Sequence, residues 1–293
     1  MATRAQWIAG MRPKTLPAAV APVLVGSSIA IFESNFRPVV ALCALVVALA
    51  LQIGVNFAND YSDGIRGTDE VRVGPVRLVG QKLASAPAVK RAAFISFAIA
   101  VIAGLIMTLV SGFWILIPIG ITAVIAAWFY TGGTKPYGYA GFGELFVFLY
   151  FGLVAVIGTS ASQTGTVSVL AIIAGTSCGF ISCAILIANN LRDIPSDTKS
   201  GKRTLAVRLG DSRTRRLYQA LLIIGICQSA IMSTVSGGPS LTWIACSAIF
   251  LAVEPIKIVR NLATGQSLIP VLASTGRLLL MYSIILSFAI ALS

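Results

Sequence analysis

The chain has no histidine and only 10 Asp and Glu among 293 residues. Without histidine, Ser-His or Cys-His nucleophile pairs and His-ligated zinc are excluded. Charged residues make up 11% of the chain against 57% hydrophobic, too little polar surface to cover a soluble domain of this length. The five cysteines (Cys43, Cys178, Cys183, Cys227, Cys246) lie inside apolar runs without CxxC spacing and read as small core residues, neither redox nor metal-binding.

What is abundant is apolar sequence, with a mean hydropathy of +0.89. Stretches that are apolar for about 20 residues are long enough to cross a hydrocarbon layer. Nine such runs are read, at 15–32, 39–58, 92–111, 113–130, 144–160, 166–188, 217–235, 240–257 and 274–292. The expectation is an all-α, polytopic membrane protein embedded in the cell membrane. The first run, followed by eight more, reads as a retained helix and not as a signal peptide.

Lys and Arg are retained on the cytoplasmic side during insertion. With the N-terminus inside, every one of the 22 Lys and Arg except Arg37 falls at the cytoplasmic ends of the runs or in the loops between them. A cytoplasmic N-terminus and an external C-terminus follow. The net charge of +12 is accounted for by this topogenic bias and by attraction to anionic lipid headgroups, so no nucleic-acid partner is expected. Three external connections are short and uncharged, whereas two cytoplasmic loops are long and rich in charge and Gly, which places function on one face.

Four of the ten acids fall in two clusters, each directly after an apolar run: Asn56-Phe57-Ala58-Asn59-Asp60-Tyr61-Ser62-Asp63 and Asn189-Asn190-Leu191-Arg192-Asp193-Ile194-Pro195-Ser196-Asp197. If the second helix continues a turn beyond the membrane, Asn56, Asn59, Asp60 and Asp63 recur at i, i+3, i+4 and i+7 and share one face. Asn189, Asp193 and Asp197 do the same at i, i+4 and i+8. Hard oxygen ligands on two facing helices suit Mg²⁺, which takes one or two carboxylates together with phosphate oxygens. Around them lie the bases Arg66, Arg72, Arg77 and Lys82 in the first loop, Lys199, Lys202 and Arg203 in the second, and Lys135 between. Metal and bases together neutralise charge on a departing diphosphate, where electrostatic catalysis is strongest. The competing reading is that these acids form salt bridges with Arg and Lys in solvated loops.

Asn59-Asp60-Tyr61-Ser62-Asp63 resembles the first half of the NDxxDxxxD motif of the UbiA-type intramembrane prenyltransferases, and 189–197 resembles their second motif, NxxxDxxxD. At the third acid position of the first motif stands Gly67; the nearest acid is Asp69. Four separated blocks, around Arg12-Pro13-Lys14, 56–79, 130–145 and 189–204, are similar to the branch of the family that prenylates 1,4-dihydroxy-2-naphthoate in menaquinone biosynthesis. The resemblance spans most of the chain. It implies one membrane domain over 1–293 with nine helices, as two four-helix halves plus a ninth, around a central cavity opening to the cytoplasmic side. It implies as well that a polyprenyl diphosphate ionises with the help of Mg²⁺ and that the naphthoate ring attacks the allylic cation.

On these grounds Asp60, Asp63, Asp193, Asp197 and Lys135 are expected to be catalytic. Asn56, Asn59 and Asn189 join the four Asp around the metal. Arg66, Arg72, Arg77, Lys82, Lys135, Lys199, Tyr130 and Tyr137 are assigned to the diphosphate, although Lys135 also reads as topogenic and the two tyrosines as interfacial belt residues. Arg12 is the candidate partner for the acceptor carboxylate, or a membrane anchor. Glu144, at the start of a helix, is read as structural. The rivals are another acceptor within the family (4-hydroxybenzoate, protohaem or a sugar phosphate) and a secondary transporter, which would carry polar residues near mid-membrane at broken helices.

Overall fold

The computed structural model describes residues 2–67 and 76–293, and every regular element among them is helical. Asp69 and Arg72 lie outside the described residues. The chain opens with a short helix α1 (Arg4–Gly10), whose N-cap Thr3 accepts from the backbone N–H of Gln6 while Gln6 reaches back to it. A 3₁₀ turn (Pro13–Thr15) bends the chain by 51° into α2 (Pro17–Phe32). The long α3 (Pro38–Ile65) and α4 (Ala86–Ser111) pair with each other, and α5 (Leu116–Phe129) is shorter.

The next span is interrupted. It starts as α6 (Gly143–Val147), widens into a π-helical stretch (Phe148–Val154) and ends as α7 (Ala155–Thr164). The 31-residue α8 (Val169–Lys199) is followed by a short α9 (Leu205–Leu209), α10 (Asp211–Met232), a 3₁₀ segment (Thr242–Ala248) leading into α11 (Ile249–Arg260), and α12 (Ile269–Ala291).

A helix covers each of the nine apolar runs. Among the described residues six spans are long and apolar enough to cross a membrane, or seven if the bent α1–α2 pair counts as one span. Of the two remaining runs, α5 has 14 residues, about 21 Å of helix against a hydrocarbon layer of about 30 Å. α10 carries Arg213, Arg215 and Arg216 in its first two turns. Polar groups stitch the bundle internally. Ser177 Oγ on α8 donates to Gly225 O on α10 at 2.7 Å and lies 2.6 Å from Tyr282 Oη on α12, while Tyr218 and Thr275 join α10 to α12 at 2.7 Å. The outer face is apolar: Ile95, Ile99, Ile102, Ile106 and Leu109 form an exposed stripe along α4.

Two glycines on α8 set the distance to the π-helical stretch. A Cβ on Gly152 would stand 2.5 Å from Gly179 Cα and 2.6 Å from Gly175 O, so the backbones touch where Gly175 and Gly179 face Gly152. Gly152→Ala is expected to destabilise the protein by about 1–3 kcal/mol, the usual range for forced overpacking. Gly120→Ala, in open space on α5, is expected to be neutral. Thermal unfolding of both variants in detergent checks this.

Candidate active site

α3 and α8 both extend through their acidic clusters as continuous helix, α8 with Pro195 in its interior. The predicted helical spacing therefore holds, and it sorts the acids. Asp60 and Asp63, three apart, are 1% and 3% exposed, but they face different tasks.

Asp60 binds protein. Its carboxylate accepts the backbone N–H of Leu78 at 2.7 Å and of Val79 at 3.1 Å. This pins the returning loop onto α3, with the Leu78 side chain fully buried beside Phe57 and Gly10. The pinned loop delivers Arg77, whose guanidinium lies 3.6 Å from Asp63. Asp63 also accepts from Lys202 Nζ at 3.1 Å and from the Tyr139 hydroxyl. Burial, and after it the Asp63 carboxylate, pushes the Tyr139 phenol above its ordinary pKa, so it remains a donor. Lys202 Nζ sits 4.4 Å from the centre of the Tyr139 ring.

The turn after α5 is tied to the same helix end. Thr131 Oγ1 donates to Asn59 Oδ1 at 2.8 Å, and the exposed Arg66 donates to the carbonyls of Thr131 and Gly133. In the second cluster Asp193 is gripped by its neighbour: Arg192 Nε and Nη2 donate to the two carboxylate oxygens at 2.7 and 2.8 Å, and Nη2 also reaches Asn189 Oδ1 at 2.8 Å. Asp197 is buried.

These groups surround a cavity of about 630 Å³. Its polar wall takes in Asp63, Asp197, Asn56, Asn59 and Asn189 among the expected oxygen donors, with Arg12, Arg77, Tyr130, Tyr137 and also Lys202. A long apolar wall runs from Val23 and Ala44 through Leu51, Val101 and Leu105 to Ile121. Asn56 and Gln52 both donate to Thr15 Oγ1, at 3.1 and 2.9 Å, fixing the bend that carries Arg12. Arg12 itself sits in the left-handed region at φ 53°, a local cost that surrounding contacts must sustain.

Other expected residues stand elsewhere. Asp60 and Asp193 are buried behind the cavity wall, holding backbone and Arg192 respectively. Arg66 works as a latch between α3 and the 131–139 turn. Lys82, Lys135 and Lys199 are exposed and do not line the cavity; Lys135 borders a separate surface pocket with Arg203 and Arg208. Sequence reasoning gave no role to Tyr139, Thr131 or Arg192. It named Lys202 only among surrounding bases. Nothing local marks these residues, since each acts through a partner far along the chain or, for Arg192, through a side-chain fold-back onto Asp193.

Among the described residues no three Asp, Glu, Cys or His converge as a self-sufficient metal cage. The donor set nonetheless fits a hard divalent cation: two carboxylates and three amide side chains on one wall, without sulfur or imidazole, leaving room for phosphate oxygens as the remaining ligands.

Fold and site together define a helical membrane protein whose cavity joins a wall of oxygen donors and cations to an apolar one. Residues 19–266 match the UbiA prenyltransferase family. A 1,4-dihydroxy-2-naphthoate octaprenyltransferase of Mycobacterium tuberculosis is 48% identical over 291 residues, covering 99% of this chain and 98% of that protein. One of the same name from Escherichia coli is 36% identical, covering 98% and 95%. The solved structure of a UbiA homolog from Archaeoglobus fulgidus bound to GPP and Mg²⁺ superposes with a TM-score of 0.68 at 14% identity, covering 98% of this chain and 100% of that one. The chain belongs to the UbiA prenyltransferase family and is a prenyltransferase.

The geometry separates two lysines that composition cannot. Lys202→Met is expected to lower kcat/KM for the diphosphate substrate on the order of a hundredfold, the scale of a lost charge-stabilising donor, whereas Lys199→Met should change it less than about threefold. Steady-state kinetics on both purified variants provides the check.

Proposed function

We propose that this enzyme transfers a polyprenyl group from polyprenyl diphosphate to 1,4-dihydroxy-2-naphthoate, with loss of the acceptor carboxylate as CO₂, giving diphosphate and the quinol that becomes demethylmenaquinone on later oxidation. The observation that carries this reading is the single cavity that joins the Asp63–Lys202–Arg77 cluster to a long apolar wall. Full-length likeness to relatives named for that naphthoate supports the choice of acceptor.

Asp63 and Asp197, with Asn56, Asn59 and Asn189, would hold Mg²⁺, which when bound offsets charge on the departing diphosphate. Asp60 and Asp193 contribute by holding the loop at Leu78–Val79 and Arg192 in place. Arg77 and Lys202, now paired with Asp63, turn to the diphosphate oxygens as the anion enters, so the protein exchanges one set of ion pairs for another without stranding a buried charge. Tyr139 keeps its proton and donates; Tyr130 and Tyr137 border the same space. Arg66, Lys82, Lys135 and Lys199, all exposed, attract the diphosphate from water over longer range. Arg12 takes the acceptor carboxylate. The tail lies against Val101, Leu105 and Ile121, in a space that shields the allylic cation from water.

In this reading the whole chain is one domain of nine spans, in two four-helix halves with a ninth added. The N-terminus lies in the cytoplasm and the C-terminus outside, and the cavity mouth is cytoplasmic. The two runs that fall short alone, α5 and α10, cross within the bundle.

The test is to supply purified protein with Mg²⁺, an allylic diphosphate and a panel comprising 1,4-dihydroxy-2-naphthoate, 4-hydroxybenzoate and haem, and to identify products by mass. A decarboxylated prenyl-1,4-naphthalenediol, or its quinone after air oxidation, is expected from the first alone, with activity abolished by chelator and restored by Mg²⁺. Full turnover in chelator, or a product from another acceptor only, would contradict the proposal.

A further inference from the structure

Asn190 follows Asn189 on α8 and has no part in the diphosphate site described above. Its side-chain Nδ2 donates to Glu144 Oε1 at 2.9 Å, and Glu144, in the first turn of α6, is 8% exposed with Oε2 buried and without a hydrogen-bond partner. A carboxylate only accepts, so this bond fixes which end of the amide faces Glu144. The amide oxygen Oδ1 is therefore turned away from Glu144, and Asn190 is part of the cavity lining.

An amide held in this way commits one of its two N–H groups to Glu144 and turns its acceptor oxygen away from it. A fully ionised diphosphate consists of acceptors and cannot use that oxygen, whereas an aromatic hydroxyl can donate to it. Beside Asn190, α6 and the π-helical stretch after it line the cavity with aromatic rings. Tyr137 and Phe146 stack at 4.0 Å with 25° between planes, and Tyr150 continues the row 6.2 Å from Phe146 at 22°. π-helical turns are rare and frequent at functional sites, and this one sets Tyr150 into the wall. A flat ring has a flat surface to lie against.

We propose that Asn190 accepts a hydrogen bond from the 4-hydroxyl of the acceptor while Tyr137, Phe146 and Tyr150 hold its ring, with Glu144 as a positioning residue that keeps the Asn190 oxygen turned inward. This rests on the acceptor assigned under the proposed function. In 1,4-dihydroxy-2-naphthoate the 1-hydroxyl is ortho to the carboxylate and donates to it within the molecule. The 4-hydroxyl is the donor left for the protein when the carboxylate lies at Arg12.

The experiment measures equilibrium binding of 1,4-dihydroxy-2-naphthoate and of 1-hydroxy-2-naphthoate, which lacks only the 4-hydroxyl, to wild type, Asn190→Ala and Glu144→Gln in detergent, with polyprenyl diphosphate affinity as a fold control. Wild type is expected to prefer the dihydroxy compound by roughly tenfold, the scale of one hydrogen bond. Asn190→Ala should bind the two compounds about equally. Glu144→Gln, whose amide can donate to Asn190 and turn it round, should lose most of the preference. Diphosphate affinity and the Mg²⁺ requirement should be unchanged in both variants. A preference that survives in both variants overturns the proposal, as does equal weakening of both compounds, the mark of a structural effect. A shifted Mg²⁺ requirement would make Asn190 a metal ligand and overturns it too. If wild type binds neither naphthoate yet prenylates another acceptor, the functional reading itself has failed, an outcome distinct from all of these.

Discussion

The buried carboxylate of Asp63 is the constraint on which this structure turns. Taking an anion out of water is costly unless it is paired and hydrogen-bonded on the spot. Asp63 meets that demand with Arg77, Tyr139 and Lys202, drawn from three connections that are far apart in the chain. One charge thereby fixes the return loop after α3, the turn after α5 and the segment after α8 around a single point. Removing either cation, Arg77 or Lys202, leaves the buried carboxylate undercompensated. In the proposed function, an entering diphosphate offers the cations a new partner and frees the carboxylate for a metal ion. On that proposal the cations already stand at the site where charge develops.

The two acidic clusters look alike in sequence and divide their labour in the same way. In each, the first aspartate, Asp60 or Asp193, is spent on the protein itself, on loop N–H groups in one case and on the Arg192 guanidinium in the other. The second, Asp63 or Asp197, lines the cavity. The members that hold the scaffold and those that line the cavity both read as essential acids, and only their partners tell them apart.

The helical architecture was legible because apolar runs and helical periodicity are local properties: each run carries a helix, and both clusters continue as helix beyond their runs. The motif spacing pointed to Asp63, Asp197 and the three asparagines, which line the cavity, but grouped Asp60 and Asp193 with them. The selection among bases was not legible, because Lys199 and Lys202 differ only in where the chain turns after α8. Three residues on, the backbone N–H of Lys202 bonds Asp197 O at 2.8 Å and the side chain swings under Tyr139. The π-helical widening at Phe148–Val154 was likewise invisible, since its apolar sequence suits an ordinary helix. Gly67 stands where the family motif has an acid.

The central claim is that Asp63 exchanges its cations for a metal-bound diphosphate. It is tested most directly by a structure determined with Mn²⁺ in place of Mg²⁺ and an unreactive thiolo analogue of the polyprenyl diphosphate, the metal located by anomalous scattering. The account predicts a metal peak in direct contact with Asp63 and Asp197, with Lys202 and Arg77 moved onto diphosphate oxygens and Asp60 still holding Leu78 and Val79. A ligand-filled cavity in which Asp63 remains paired to Lys202 and Arg77, with no metal beside it, would contradict the account.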